Sequence, residues 1–322
     1  MTAPVLPQLA AKARGAAHRG GAPCVCGAAV TLADRPDATV VRHADVVAKA
    51  HAPDTDRAAL DLRVATAARL PDVFVPPLGT APDTLGDRLV TLWPYGAPVD
   101  PHTPDAAPWE AAGTLLARLH RTPVTGAVTA LLRAAPPPMR GPVKAARAIS
   151  RLRAALGTGG TPAAPPVLRA WAALPAWARA AAPMPGPVAL CHGDVHLGQL
   201  VRHPTPDGPW RLIDVDDLGV GVPAWDLARP AAWYACGLLP PDAWTRFLTA
   251  YRAAGGPAVP AHGDPWPALD VPARALTAQT AALAVAKALT ADRPLDEVEA
   301  ALVDACARMD CAPAELTHGF PT

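Results

Sequence analysis

The chain has 322 residues, 51% of them hydrophobic, enough to bury a large core and to build two lobes or domains. Its net charge of +1 sets up no global field for nucleic acid or a membrane surface, and no apolar run reaches the ~18 residues of a membrane span without a charge. Six cysteines in such a length are too sparse for a disulfide scaffold and the N-terminus lacks a signal-peptide core, so a cytoplasmic protein with reduced thiols and no implied protein partner is expected.

Residues 1–27 carry Pro, Gly and Ala with scattered Arg and are expected to be loosely ordered. Within them Cys24-Val25-Cys26 has the look of half a metal site, but no second cysteine pair sits at zinc spacing. Val30–Leu32, Thr39–Arg42 and Val46–Ala50 read as three short strands, with Lys49 in the third, one of only four lysines in the chain. Asp54-Thr55 offers a helix cap and Asp56–Leu70 reads as a helix. Arg88–Leu92 reads as a further strand, ended by Trp93-Pro94-Tyr95-Gly96. Pro108 then opens a helix over Trp109–His120 with Leu115, Leu116 and Leu119 on one side. Residues 122–187 hold eight bases and no acid, with helices over about 142–156 and 166–182; such a stretch is either a solvated helical surface or an attractor for an anionic ligand.

Val188 to Ala228 is the most informative stretch. A short apolar run, Val188–Leu190, delivers His192-Gly193-Asp194 to a loop, and Gln199 follows. Pro-Thr-Pro-Asp-Gly at 204–208 is a turn that folds Leu200–His203 back on Trp210–Ile213, and this second segment leads into Asp214, Asp216 and Asp217. The expected result is a convergence of two carboxylates, Asp194 and Asp214, with the Gln199 amide. Phosphoryl transfer needs such a set, because its transition state spreads negative charge that hard cations with oxygen ligands must offset. Asp214 fits a Mg²⁺ ligand, the Gln199 amide oxygen can complete the metal sphere, and Asp194 fits the group that orients an acceptor hydroxyl and takes its proton. A second His-Gly-Asp, at 262–264, has neither an apolar run before it nor an Ile-Asp after it and reads as a loop. The only serine, Ser150, sits in a helix-like run, so no serine-hydrolase elbow exists.

His192-Gly193-Asp194-Val195-His196-Leu197-Gly198-Gln199, then Ile213-Asp214, then Pro223-Ala224-Trp225-Asp226-Leu227-Ala228, resembles the aminoglycoside phosphotransferase family of small-molecule kinases. The resemblance implies an α+β, two-lobed protein-kinase-like fold: a small N-terminal antiparallel sheet lobe to about residue 93 and a larger, mainly helical lobe over 94–322. It implies ATP and Mg²⁺ as cofactors and transfer of the γ-phosphate to a hydroxyl of a small molecule, an aminoglycoside-like antibiotic by family default. The His-Leu-Gly-Gln form of the motif also resembles that of maltokinases, which keeps a sugar acceptor open. By the same resemblance Lys49 holds the ATP phosphates, Leu92, Trp93 and Tyr95 line the purine pocket at the hinge, Asp194 is the catalytic base, and Gln199 and Asp214 hold the metal. His192 and Asp226 support the catalytic loop, Asp226 through hydrogen bonds, with a helix N-cap as its competing reading.

Three departures from the family pattern are visible. The chain has no asparagine, so Gln199 stands where the family usually has Asn. No glutamate precedes Glu110, so Asp61, with Asp56 as the second choice, is the candidate partner of Lys49, while Arg63 falls about where the glutamate is expected. No glycine lies in the turn Asp34–Ala38, where a phosphate-covering loop is expected. These departures keep open a nucleotide-binding module without turnover. Beyond Ala228 the chain reads as helices over 241–253, about 271–290 and about 294–309, and residues 231–322 carry ten acids against six bases.

Overall fold

The computed structural model describes residues 5–18, 24–35, 37–124, 136–157 and 160–309; Pro36, Arg133, Cys311 and part of the Gly157–Pro162 linker lie outside them. The chain forms two compact units. The first comprises Met1–Ala111, Pro123–Pro137 and Leu197–Leu218, the second Ala112–Thr122, Pro138–His196 and Gly219–Thr322. Where the sequence suggests one boundary after residue 93, the first unit also takes the hairpin that follows Leu197.

The first unit is built on a five-stranded antiparallel sheet of order β1-β2-β3-β5-β4: β1 Val30–Arg35, β2 Ala38–His43, β3 Val46–His51, β4 Asp83–Leu85 and β5 Arg88–Pro94. The period-2 pattern gives the sheet two faces. Val41, Ala48, Ala50 and Val90 point to one face and are buried there with Leu9 and Ala13. Lys49, paired across the ladder with Thr91, points to the other. Leu9 and Ala13 belong to a helix, α1 (Val5–Ala17), which corrects, for residues 5–17, the expectation that residues 1–27 are loosely ordered. The cause is the spacing of Val5, Leu6, Leu9, Ala10 and Ala13, an apolar stripe at helical period that the Ala- and Pro-rich background conceals. Lys12 on the same helix pairs with Asp83 of β4.

β4 is a short strand absent from the sequence reading; Gly86, at φ +61°, makes the tight turn into β5. Helix α2 (Arg57–Arg69) is capped by Asp56, whose carboxylate accepts from Ala58 N (2.9 Å) and Ala59 N (3.3 Å), one residue past the expected Asp54-Thr55 cap. The expected hairpin forms as β8 (Leu200–Arg202) against β9 (Trp210–Leu212), with the two-residue β6 (Ala97–Pro98) on the far side of β8.

The second unit is mainly helical. Its elements are α3 (Trp109–His120, of which the second unit takes Ala112 onward), α4 (Gly141–Leu156), α5 (Ala164–Ala172), α6 (Ala224–Ala235), α7 (Pro241–Ala253), α8 (Trp266–Thr290) and α9 (Glu297–Met309), with the two-stranded pair β7 (Ala189–Cys191) and β10 (Gly219–Gly221). α8 is the axis of this unit: α4, α5, α6 and α9 all pack on it, and Leu269, Leu276, Ala281 and Val285 are buried along it. α3 crosses α7 closely enough that a Cβ at Gly113 would overlap the Phe247 carbonyl. The second His-Gly-Asp, 262–264, is a loop before α8, where Asp264 accepts from Trp266 N at 3.0 Å. Among the described residues no helix is long and apolar enough to cross a membrane.

Candidate active site

Two clusters of polar side chains hold the residues singled out in the sequence, one in each unit. The cluster of the first unit gathers on the β3 face opposite α1. Lys49 Nζ donates to Asp214 Oδ1 at 2.7 Å and lies 3.0 Å from Asp216 Oδ2. Burial works against the Lys49 ammonium, but Asp214 and Asp216 outweigh it and hold its pKa above that of an ordinary lysine. Burial likewise opposes charge on Asp216, yet Lys49 and then His51 draw its pKa well below the usual carboxylate range. His51 Nδ1 is 3.0 Å from Asp216 Oδ1, and His51 Nε2 meets Thr91 Oγ1 at 2.8 Å, which also accepts from Trp93 Nε1 at 2.8 Å. A continuous polar chain thus runs Trp93–Thr91–His51–Asp216–Lys49–Asp214.

Asp214 sits just past β9 with φ +65°, a left-handed conformation that Asp tolerates better than most side chains but that still costs energy. Gln199 ends a one-turn 3-10 helix (Leu197–Gln199), and its carbonyl accepts from Ile213 N at 2.9 Å, so the hairpin sets Gln199 beside the entry to Asp214. Asp214 and Asp216 offer carboxylate oxygens, and Gln199 carries an amide oxygen at the start of the hairpin, ligands that suit Mg²⁺ in kind.

The expected Lys49–Asp61 pair is not formed. Lys49 turns instead to Asp214 and Asp216, and Asp61 Oδ1 is buried without a hydrogen-bond partner. No arginine takes the lysine's place either: Arg63 is buried, and its Nε donates to Leu218 O at 2.9 Å, fastening α2 to the end of the Asp214 loop. The expectation that Leu92 lines a purine pocket is also corrected. Its side chain packs on the α1 face with Leu9 and Ala13, and its carbonyl accepts from Leu78 N at 2.9 Å. Strict alternation along β5 leaves Trp93 and Thr91, not Leu92, on the Lys49 face. Tyr95 N donates to Asp45 O, and the Tyr95 ring lies 3.4 Å below the Arg42 guanidinium carbon.

The cluster of the second unit surrounds Asp194. Lys144 Nζ meets Asp194 Oδ2 at 2.5 Å and Arg229 Nη2 meets Oδ1 at 2.8 Å. Burial opposes the charge, but Lys144 and then Arg229 hold the Asp194 carboxyl well below the usual range, so it is a carboxylate at any physiological pH. Arg229 Nε also donates to Val195 O at 3.1 Å, gripping the loop at two points. Behind it Asp226 is 1% exposed, in the first turn of α6 and therefore not its N-cap. It accepts from His192 N (2.6 Å), Gly193 N (2.8 Å) and His120 Nε2 (3.0 Å), and His120 Nδ1 meets Tyr251 Oη at 2.8 Å. His192 itself is fully buried. Burial drives the His196 imidazole down to about 4, against the attraction of Asp194.

Lys144, Arg229, His51 and Asp216 are the members that the sequence motifs leave out or leave undecided. Two carried a signal: Lys144 is one of four lysines, and Arg229 lies three residues past Asp226, on the helix that braces the same loop.

The fold and the motif are matched by known proteins. Residues 29–267 match the model of the phosphotransferase enzyme family, APH. No curated protein matches the chain by sequence. Among solved structures, a choline/ethanolamine kinase family protein from Mesorhizobium loti superposes with a TM-score of 0.55 at 19% identity, covering 98% of this chain and 97% of its own. The macrolide 2'-phosphotransferase MphH from Brachybacterium faecium gives 0.51 at 22% identity, covering 95% and 99%. A thermostable mutant of aminoglycoside phosphotransferase APH(4)-Ia, in a ternary complex with AMP-PNP and hygromycin B, gives 0.55 at 12% identity, covering 88% and 94%. With a family match over well more than half its length and the same protein-kinase-like fold, the chain belongs to the phosphotransferase enzyme family.

Proposed function

We propose that the protein transfers the γ-phosphate of ATP to a hydroxyl group of a small molecule. The observation that carries this reading is Asp194, a carboxylate kept ionised between Lys144 and Arg229 on a loop braced by Asp226. A group of that kind orients an acceptor hydroxyl and takes its proton as the oxygen attacks phosphorus; the bond from the γ-phosphorus to the bridging oxygen breaks, and ADP leaves. Lys144 and Arg229 are cations that a transferring phosphoryl group can engage once acceptor and nucleotide are bound. Lys49 serves the phosphates of the nucleotide, steered by Asp214 and Asp216. Asp214 and Gln199 would hold Mg²⁺, with Asp216 assisting, and the cation would supply charge neutralisation on the phosphate oxygens.

For the acceptor we propose an alcohol that also carries basic nitrogen, an aminoglycoside-like antibiotic first, which would make the reaction one of antibiotic resistance. Two observations support this: the structural neighbours are named for choline or ethanolamine and for antibiotics, and residues 231–322 carry ten acids against six bases. A sugar acceptor rests on the His-Leu-Gly-Gln motif alone. The missing Lys49–Asp61 pair favours a second reading, a nucleotide-binding module without turnover. One experiment separates them: Mg²⁺-dependent ATP consumption by wild type and Asp194→Ala over a panel of aminoglycosides, macrolides, amino alcohols and sugars. Turnover with one class, lost in Asp194→Ala, supports the kinase. ATP binding without turnover on any acceptor supports the module, and no nucleotide binding sinks both.

A further inference from the structure

A second polar cluster lies in the first unit on the α1 face of the sheet, opposite Lys49, and phosphoryl transfer does not use it. His43 closes the inward row of β2, after Thr39 and Val41, and is 1% exposed. His18 follows the last turn of α1, its N–H donating to Arg14 O at 3.0 Å. The two imidazoles meet edge to face, Nε2 to Nε2, at 3.1 Å. Cys24 Sγ approaches the same His43 Nε2, also at 3.1 Å, and Cys26 N donates to Cys24 Sγ at 3.4 Å. One ligand atom from each of His18, Cys24, Cys26 and His43 lies within 4.8 Å of every other. One imidazole nitrogen cannot satisfy two close polar neighbours through one proton, and His43 Nδ1 is buried with no partner of its own.

We propose that His18, Cys24, Cys26 and His43 bind one zinc ion. Zinc at about 2.0–2.1 Å from nitrogen and about 2.3 Å from sulfur places tetrahedral ligand atoms roughly 3.3–3.8 Å apart. The ligand atoms therefore need only small movements to accept it. Two thiols with two imidazoles and no carboxylate exclude Mg²⁺ and Ca²⁺ by chemistry, and four protein ligands leave no open position, which makes the site structural rather than catalytic. The Cys-x-Cys spacing is one residue shorter than the commonest zinc-finger pair, so the second pair comes from elements far apart in the chain, the end of α1 and the end of β2. The ion would fasten α1 to the sheet whose core Leu9 and Ala13 complete.

The test uses the untagged full chain, reduced, loaded with Zn²⁺ and desalted. Wild type is expected to retain one equivalent of zinc, and Cys24→Ser/Cys26→Ser none. With Co²⁺ in place of Zn²⁺, wild type should show thiolate-to-metal charge transfer and the intense d–d bands of a tetrahedral site, both lost in the double variant and weakened in His43→Gln. Should the variants misfold, Zn²⁺ must still slow alkylation of Cys24 and Cys26 in wild type at least tenfold. Failure to retain zinc, a Co²⁺ spectrum without charge transfer, or cysteines alkylated at one rate with and without Zn²⁺ overturns the proposal. A Cys24–Cys26 disulfide in protein prepared under reducing conditions overturns it as well. None of these readouts depends on kinase activity.

Discussion

At the level of single residues, charge pairing decides what each side chain can do. In the proposed reaction Asp194 needs no raised pKa, because a positioned base contributes by orientation as much as by proton removal. Asp194→Asn should keep the fold and nucleotide binding while turnover falls by about 10²–10⁴-fold, the usual worth of a positioned base; an equal loss of nucleotide binding would contradict the assignment. His196 supplies a pH signature. Its folded pKa of about 4 lies below the ordinary 6.5, so as pH falls through 6.5 the unfolded chain takes up a proton before the folded one does. Its effect on stability is therefore nil above about pH 6.5, grows unfavourable from there down to about pH 4, and then levels off. Asp194 and Asp216 have depressed pKa values, so their stabilisation is complete above the ordinary carboxylate value of 3.8 and is lost only below it. Urea midpoints measured between pH 7 and 4 should fall less steeply in His196→Gln than in wild type.

At the level of elements, the loop after β7 owes its shape to a helix. Asp226 on α6 accepts two backbone N–H groups and the His120 ring, all buried, so Asp226→Ala strands each of them. A buried polar group left unsatisfied costs about 1–3 kcal/mol, so Asp226→Ala should lower Tm sharply by calorimetry, and Asp226→Asn less. In the first unit, α1 covers the sheet through Leu9, which is fully buried. Leu9→Ala should cost about 2–5 kcal/mol, as buried leucine truncations do; a change within error would mean that α1 is not docked as described. The helices opened by a proline and carrying a clear apolar stripe, α3 and α7, are legible residue by residue in the sequence. α1 is not, because two of its five stripe positions are alanine, and β4 is not, because three residues carry too little pattern.

For the whole molecule, ligand linkage is the sharpest check. Mg²⁺ and ATP at about 100 times Kd should stabilise the protein by about 2.7 kcal/mol, seen as a rise in Tm. Lys49→Ala should abolish most of that rise and also lower the ligand-free Tm, because Asp214 and Asp216 lose their shared cation. A full rise in the variant would remove Lys49 from the nucleotide site.

What the sequence determined by itself is the class of chemistry. The ordered run of His192-Gly193-Asp194, Gln199, Ile213-Asp214 and Asp226 pointed to the phosphotransferase family, because acids and amides at those spacings are local patterns set by a strand end, a turn and a hairpin. What the tertiary structure decided is who partners whom. Lys49 reaches Asp214 across 165 positions of chain and Lys144 reaches Asp194 across 50, distances at which no local rule operates. The same reason hid His18 and His43 from the Cys24-Val25-Cys26 motif: each ligand is ordinary in its own segment, and only the packing of α1 on β2 brings the four together. Period and turn chemistry act over a few residues, whereas ion pairs and metal ligands are chosen by the sheet and helix faces that bring distant segments into contact.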